Sequence, residues 1–300
     1  MTRTVHVFQI DAFTQQRFTG NPAGVVLGAE VLSDGEMLAI ARELNNADTA
    51  FVFPADGPDH DLRVRFFTPR SEAVFVGHAT IAAQFVLSRR GADAQRRRQK
   101  QKAGIYEIEV RGQGPARSIA IRQPAPVIGR ELNERERLAV LDALALSSAD
   151  IDPRCPLRIG GSGSTRLLIG VRSHEQLKHM KPDFVRLNTL SAQLGAAGHF
   201  VFTLQGAHSG SQTESRMFCP ALGIPEDPVS GNAHGILGAY LAQLGLLTPT
   251  DGRAAFHATQ GHFVGRPGDI DIELEFDGQK PTAVWIIGQA VEIFETHLSI

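Results

Sequence analysis

The sequence predicts an α+β protein made of two similarly built halves, each a sheet or barrel-like sheet around a central helix. Segments in which apolar and polar residues alternate, for example residues 62–67 and 270–276, indicate strands. Segments with apolar residues at helical spacing, for example residues 37–44 and 236–244, indicate helices. A third observation is an ordered series of matches between the two halves of the chain, which indicates an internal repeat.

The repeat is clearest where a strand leads through a loop into a helix. Residues 65–69 resemble residues 216–220, since both segments have arginine first, phenylalanine third and proline fifth. Each segment is followed by a glycine, a variable residue and an alanine, at residues 77–79 and 231–233. In both halves a closing glycine comes 14 residues after the first glycine of that motif. Two related halves explain this ordered series most simply.

The boundary between the halves is expected at the proline-rich segment of residues 124–126. We place the first half at residues 1–122 and expect the C-terminal strand, about residues 284–300, to join it. The second half then covers residues 123–283. A chain of 300 residues is long enough for a hydrophobic core in each half.

Local signals place the first helix and the elements that follow it. Ser33 and Glu36 have the spacing of a capping box, which predicts a helix start. This helix should end near Asn45 and Asn46, because asparagine tolerates the left-handed backbone that terminates helices. Further helices are expected at residues 77–91, 131–146, 184–194 and 231–245, and strands at residues 5–10, 25–27, 51–53, 105–110, 118–121, 167–171, 200–202 and 283–294.

Composition argues against several classes of function. The net charge of −2 gives no support to binding of nucleic acid or anionic membranes as the main role. The N-terminus lacks the apolar segment of a signal peptide, and no apolar run approaches the roughly 18 residues that span a bilayer. The two cysteines, Cys155 and Cys219, are too few for a disulfide framework and favour a reducing compartment. We expect a cytoplasmic protein without a membrane partner.

A basic run at residues 96–102 is the exception to this charge balance. No aromatic residue is interleaved with the basic ones for base stacking, so a solvated loop is the favoured interpretation and nucleic-acid binding the remote alternative. Three histidines, His199, His234 and His262, are scattered without the spacing of metal ligands. We therefore expect no metal site.

The segment that opens the last predicted helix, residues 226–235, indicates a ligand. A tight turn that opens a helix leaves backbone N–H groups unpaired, and the helix dipole favours an anion there. Such a helix start can hold a small carboxylate without a basic side chain, and the repeat supplies a second one at Gly77. A small carboxylic acid is therefore the expected ligand.

Several motifs together resemble the PhzF family of phenazine-biosynthesis-type isomerases. They are, in chain order, residues 11–14 with 20–23, residues 67–69 with 77–80, residues 226–233, and residues 260–261 with 265–267. Each motif by itself is weak, but their order matches over nearly the whole chain. The resemblance implies the diaminopimelate epimerase-like fold, a homodimer, and a biosynthetic isomerase that needs no cofactor.

The resemblance also implies the reaction and its acid/base residue. PhzF enzymes move a proton on a small carboxylic acid, as in the isomerisation of trans-2,3-dihydro-3-hydroxyanthranilate. They commonly carry a glutamate acid/base in the loop before a strand, and this chain has Asp48 there. A side chain shorter by one methylene can displace the carboxyl group by about 1 Å, which can cost on the order of a hundredfold in rate.

The other site residues are assigned from the resemblance and from their place at the helix starts. His78 is expected to be a neutral hydrogen-bond donor or proton relay, because the helix dipole lowers its pKa. Asp227 is expected to orient the substrate or His78. The residues expected to hold a carboxylate or carbonyl oxygen, in the manner of an oxyanion site, are Gly77, Ser230, Gly231, Asn232 and Ala233.

Two alternatives to this reaction follow from the same residues. The wider fold includes racemases that use two cysteines, each just before the glycine at a helix start. Val76 and Ser230 occupy those positions here, so a two-thiol mechanism is not expected. The remaining alternative is a protein of this fold that binds or senses a small carboxylate without catalysis, because Asp48 departs from the usual glutamate.

Overall fold

The computed structural model describes residues 3–91, 95–161, 164–206 and 210–300. The chain divides into two units, Met1–Gln123 with Ile287–Ile300 and Pro124–Ile286. Both units combine strands with helices, so the predicted α+β class is confirmed. No helix in the described part of the chain has the length and apolar character needed to cross a membrane.

The first unit begins with two antiparallel strands and contains the first of the two central helices. Its strands are β1 (Thr4–Ala12), β2 (Asn21–Leu27), β3 (Asp48–Pro54), β4 (Leu62–Phe67), β5 (Glu72–Ala73), β6 (Arg96–Gln101), β7 (Gly104–Arg111), β8 (Ser118–Pro124) and, near the C-terminus, β18 (Ala290–Ser299). Its helices are α1 (Asp34–Leu44) and α2 (Gly77–Arg89).

The second unit contains the other central helix. Its strands are β9 (Ile128–Glu131), β10 (Arg158–Gly160), β11 (Arg166–Val171), β12 (Gly198–Thr203), β13 (Thr213–Cys219), β14 (Ile224–Asp227), β15 (Arg253–Gln260), β16 (Gly268–Asp277) and most of β17 (Lys280–Gly288). Its helices are α3 (Glu134–Ala143), α4 (His174–His179), α5 (Phe184–Leu194) and α6 (Gly231–Gln243).

The two units repeat one series of strand pairings. In the first, β2 and β3 are parallel, β3 is antiparallel to β4, and β4 is antiparallel to β5 and parallel to β6. In the second, β11 and β12 are parallel, β12 is antiparallel to β13, and β13 is antiparallel to β14 and parallel to β15. An antiparallel pair ends each series, β6 with β7 and β15 with β16. The internal repeat in the sequence thus has a counterpart in the fold.

Helix α1 shows how local sequence sets the boundaries of an element. Ser33 occupies the N-cap, and a complete capping box joins it to Glu36, as predicted. The helix ends at Asn45, whose backbone is left-handed with φ of 51°. This confirms the predicted helix end and turns the chain directly into β3.

The central helices α2 and α6 are both 13 residues long and mostly buried. Helices that are apolar on most sides are typical of the protein interior. A Cβ atom at Gly238 would lie 3.0 Å from Leu274 and 3.2 Å from Ile272, so α6 approaches β16 more closely than a larger residue would allow. Each unit also has an apolar cluster beside its sheet.

The basic run at residues 96–102 is a strand, so the prediction of a solvated loop was wrong. Arg96 to Gln101 form β6, which pairs with β7 along its whole length. Arg97, Gln99 and Gln101 are buried, whereas Arg96 and Arg98 are exposed. The sequence shows no alternation of apolar and polar residues here, because the inward-facing residues are as polar as the outward-facing ones.

The C-terminal strand predicted at residues 283–294 is also two strands rather than one. It is broken at Gln289, between β17 and β18. There the Gln289 carbonyl accepts a hydrogen bond from the Phe13 N–H group, at 2.7 Å, outside the strand ladders. The apolar pattern continues through the break, so the sequence does not mark it.

His257 on β15 lies between two aspartates of β16. Its Nε2 atom is 3.4 Å from Asp269 Oδ1, and its Nδ1 atom is 2.7 Å from Asp271 Oδ1. Hydrogen bonds with Asp269 and Asp271 raise the pKa of His257 from 6.5 to about 9.

This raised pKa predicts a pH-dependent contribution to stability. The pKa is higher in the folded protein, so the contribution of protonated His257 is complete below about pH 6.5 and is lost as the pH rises through about 9. We expect His257→Gln to lower the free energy of unfolding near pH 6 by up to about 1 kcal/mol, because water screens this half-exposed group. Near pH 10 the two proteins should be equally stable. Urea unfolding measures both differences, with exposed His179→Gln as control, and an equal loss at both pH values would contradict the assignment.

Candidate active site

The first unit brings the predicted residues Asp48 and His78 together. Asp48 is the first residue of β3, and His78 is the second residue of α2. The Nε2 atom of His78 lies 3.8 Å from the Oδ2 atom of Asp48. Both residues are only 9% exposed. The structure thus places a carboxyl group beside an imidazole at the start of a buried helix.

A strand pairing and a pair of side-chain hydrogen bonds position Asp48. Asp48 pairs with Ala23 in the parallel register of β3 with β2. The loop before it is held by a reciprocal pair of amide hydrogen bonds: Gln9 Nε2 donates to Asn46 Oδ1 at 3.0 Å, and Asn46 Nδ2 donates to Gln9 Oε1 at 2.8 Å. The chain that carries the carboxyl group is therefore fixed on both sides.

The imidazole of His78 is neutral at physiological pH. Burial lowers the pKa of His78 to about 4. The sequence predicted this direction from the helix dipole, whereas the cause in the structure is burial. Within the described residues the Nε2 atom has no hydrogen-bond partner, and the 3.8 Å separation from Asp48 exceeds hydrogen-bond distance. This nitrogen is therefore available to a ligand or to a proton.

The start of α2 leaves its first backbone N–H groups without a side-chain cap. The N-cap residue is Val76, which has no acceptor atom in its side chain. For a Cβ atom at Gly77 the nearest atom would be Phe75 Cε1, at 3.9 Å, so the backbone is open on that side. The amides near Gly77 are suited to an anionic or carbonyl oxygen.

The start of α6, with the four other predicted binding residues, differs in its cap. The hydroxyl oxygen of Ser230 accepts from the Ala233 N–H group of its own helix, at 3.5 Å. Ser230 is thus an N-cap residue, and Gly231 is the first helical residue. The Oδ1 atom of Asn232 is buried and lacks a hydrogen-bond partner in the ranges that the structure describes. Asn232 and His78 are both second residues of a central helix, and both carry such an atom.

The turn that carries Asp227 is held by Gln260, whose role the sequence did not reveal. Gln260 Nε2 donates to the Asp227 carbonyl at 2.6 Å, and Gln260 Oε1 accepts from the Ser230 N–H group at 3.1 Å. The next residue, Gly261, has φ of 91°, and a Cβ atom there would lie 2.8 Å from the Pro228 carbonyl oxygen. The motif at residues 260–261 was visible in the sequence, but its partners lie about thirty residues earlier.

Matching ion pairs hold the strands that lead into both central helices. In the second unit, Arg216 binds Glu226 through two hydrogen bonds, of 2.9 and 2.7 Å. In the first unit, Arg65 Nε donates to Glu72 at 2.8 Å, and this bond lowers the pKa of Glu72. Each arginine lies on the longer strand and each glutamate on the short strand before the helix. The two pairs are structural counterparts.

The second unit lacks a carboxylate at the place of Asp48. Gly198 is the first residue of β12, as Asp48 is of β3, and both strands pair in parallel with a neighbour at that residue. The residue after Gly198 is His199, which is fully buried, and burial lowers its pKa to about 4. The Asp48–His78 pair of the first unit is therefore not repeated in the second.

Both cysteines and His234 are buried, and burial shifts their pKa values. Burial raises the pKa values of Cys155 and Cys219 to about 12, so both thiols stay protonated. His234 is fully buried, and burial lowers its pKa to about 4. The part of the chain that the structure describes contains no group of three or more His, Cys, Asp or Glu residues arranged to hold a metal ion.

The sequence matches a family model over most of its length. The model describes phenazine biosynthesis-like proteins, PhzC-PhzF, and matches residues 10–296. An uncharacterized isomerase of Clostridium acetobutylicum is 38% identical over 299 residues, which cover 99% of each chain. The uncharacterized isomerase YddE of Escherichia coli K12 is 36% identical over 296 residues, which cover 98% of each chain.

Solved structures agree with this match. The PhzF-family phenazine biosynthesis protein of Bacillus anthracis has a TM-score of 0.89 and 28% identity, covering 99% of this chain and 100% of that one. A hydroxyproline epimerase of Agrobacterium vitis has a TM-score of 0.65 at 12% identity, covering 99% of this chain and 93% of that one, and shares the fold alone. The resemblance inferred from the motifs is confirmed: the chain belongs to the PhzF family of phenazine biosynthesis-like proteins, and its relatives are named isomerases.

Proposed function

We propose that this protein is a cofactor-independent isomerase or epimerase that moves a proton on a small carboxylic acid, with chemistry of the dihydrohydroxyanthranilate isomerase type. The main support is the pair formed by Asp48 and His78, a carboxyl group 3.8 Å from a buried, neutral imidazole. Groups that exchange protons with carbon work best when they are held in position and shielded from water. Family membership and the names of the relatives support the broader class of isomerase.

In this proposal Asp48 takes a proton from a carbon atom of the substrate and returns it to another position. Neutral His78 donates a hydrogen bond to a substrate oxygen or relays the proton through Nε2. The glycine at the corresponding place in the second unit, Gly198, supports a mechanism with a single acid/base group. A symmetric racemase would need two such groups on opposite faces of one carbon.

The helix starts are proposed to stabilise the negative charge that develops as the proton leaves. Loss of a proton next to a carboxylate or carbonyl group places charge on its oxygen, where backbone N–H groups stabilise it. We assign this role to Gly77 in the first unit and, in the second, to Gly231, Asn232 and Ala233. Ser230 keeps the α6 start in place as its cap, and Asp227 orients the ligand.

Substitution of Asp48 tests the acid/base assignment. Asp48→Asn and Asp48→Ala should each lower the rate of solvent deuterium incorporation into substrate by about 10²–10⁴-fold, because neither can accept the proton. Asp48→Glu keeps a carboxyl group, displaced by about 1 Å, and should fall between these variants and the wild type. Exchange is followed by ¹H NMR in D₂O with trans-2,3-dihydro-3-hydroxyanthranilate and a panel of small carboxylic acids.

An exposed aspartate, Asp271, provides the control, and Asp271→Asn should leave the exchange rate unchanged. Unaltered exchange in Asp48→Asn would show that another group is the base. Tight binding of an acid by the wild type with no exchange would instead favour the non-catalytic binding protein.

Titration of His78 tests the electrostatics of the pair. Its pKa of about 4 keeps the imidazole neutral from about pH 5 to 8, so its protonation should not limit exchange in that range. Because the unfolded chain binds this proton first, the folded protein should lose stability as the pH falls from about 6.5 towards 4. NMR titration of the histidine ring protons should give a midpoint near 4 for the signal that His78→Gln removes. His257, with a pKa of about 9, is the internal reference, and a His78 midpoint near 6.5 would refute the assignment.

A further inference from the structure

A row of polar side chains runs through the interior of the first unit between β6 and α2. Three come from alternate residues of β6: Arg97, Gln99 and Gln101 are 6%, 0% and 5% exposed. Facing them on α2 are Thr80 and Gln84, both fully buried. Buried polar groups destabilise a protein unless they are hydrogen-bonded. Each side chain of this row is therefore expected to have a hydrogen-bond partner, and one without a partner needs an explanation.

Four hydrogen bonds join most of the row into a chain with one direction. Arg97 donates to Gln84 at 2.8 Å, and Gln84 Nε2 donates to Gln99 Oε1 at 2.7 Å. Gln99 Nε2 donates to Thr80 Oγ1 at 3.4 Å, and Thr80 donates to the carbonyl of Val76, the N-cap of α2, at 2.8 Å. Bonds aligned in this way polarise one another and fix the orientation of each amide.

The register of the row places its last member at the start of α2. Two strand residues span about 6.6 Å and four helical residues about 6 Å. Accordingly, the step from Arg97 to Gln99 moves the helix partner from Gln84 to Thr80. The next two residues along β6 lead to Gln101. The next four residues towards the start of α2 lead to its N-cap, Val76.

A separate contact shows which element lies beside the C-terminal end of β6. The residue after Gln101 is Lys102, whose Nζ atom lies 3.7 Å from Glu72 of β5. Strand β5 is the element that immediately precedes α2. The C-terminal end of β6 therefore lies beside the segment that leads into the helix start.

Gln101 is the member of the row that has no partner. Its Nε2 and Oε1 atoms are both buried, and neither has a hydrogen-bond partner among the residues described. The residue opposite Gln101 on β7 is Gly104, which has no side chain that could hydrogen-bond to it. By contrast, the neighbouring Gln99 is hydrogen-bonded through both atoms of its amide. His78, the second residue of α2, likewise has a buried side-chain nitrogen, Nε2, without a hydrogen-bond partner among the described residues.

We propose that Gln101 is a ligand-binding residue of the first unit. Its Nε2–H group donates to a carboxylate or carbonyl oxygen held at the start of α2, and its Oε1 atom accepts from an N–H or O–H group of the same ligand. The inference rests on the proposed function only in that a small carboxylic acid binds at this helix start. Gln99, two residues earlier on the same face of β6, is fixed by the chain of hydrogen bonds and is not free to bind the ligand in its place.

The ligand-free protein provides the first test. Gln101→Met removes two unpartnered polar atoms at similar volume, so it should raise the melting temperature by roughly 2–4 °C. The matched control, Gln99→Met, leaves the buried Gln84 Nε2 atom without its acceptor and removes the donor to Thr80 Oγ1, so it should lower the melting temperature by at least as much. A melting temperature lowered by Gln101→Met as by Gln99→Met would overturn the proposal.

Ligand binding provides the second test. The probes are benzoate, succinate and trans-4-hydroxy-L-proline, and affinity is read from the shift in melting temperature with concentration. For any probe that stabilises the wild type, Gln101→Met should weaken binding at least about tenfold. Gln101→Glu keeps the shape, loses the donor and should weaken binding as much. Wild-type affinity in either variant would refute the role of Gln101.

The two tests separate this proposal from the proposed reaction. Should none of the three probes stabilise the wild type, the ligand-free comparison of Gln101→Met with Gln99→Met decides alone. Asp48→Asn, measured in parallel, should retain probe binding and lose exchange. If the wild type exchanges no proton on any acid, the isomerase assignment fails, whereas the stability and binding results for Gln101 keep their meaning.

Discussion

Each unit is organised around a mostly buried central helix, and the first backbone N–H groups of such a helix have no partner within the helix itself. Such groups need acceptors. In α6 the N-cap hydroxyl of Ser230 accepts from Ala233, whereas in α2 the N-cap is Val76, which cannot accept. We propose that a ligand oxygen is the acceptor at the α2 start, where Asp48 lies beside His78.

The two units support their helix starts by similar means and differ in chemistry. In both, a side chain one turn into the helix donates to the N-cap carbonyl at 2.8 Å, Thr80 to Val76 and His234 to Ser230. An arginine–glutamate pair holds the preceding strand in each unit. The carboxyl group of Asp48 has no counterpart in the second unit. The repeat therefore supplies a scaffold common to both units, and the proposed acid/base group, Asp48, belongs to the first unit alone.

Three of the positions that we assign to ligand binding carry buried polar atoms without hydrogen-bond partners. Each such atom costs about 1–3 kcal/mol relative to a satisfied one. The atoms are His78 Nε2, Asn232 Oδ1 and the two amide atoms of Gln101, which lack hydrogen-bond partners among the described residues; His199 and Gln123 carry such atoms as well. Two of the three lie at the second residue of a central helix, and the third lies on the strand end beside α2. Loss of stability at a binding site is a common consequence of function, because the site is shaped for the ligand.

The sequence by itself determined the features that depend on neighbouring residues: the capping box at Ser33, the helix end at Asn45, the repeat and the motifs that identify the family. Only the tertiary structure decided that the basic run is the strand β6, because the burial of its polar residues depends on the facing helix. The contacts of Gln260 and the unpartnered state of Gln101 were likewise invisible in the sequence. Hydrogen bonds of this kind join residues far apart in the chain, and their existence depends on distances that only packing sets.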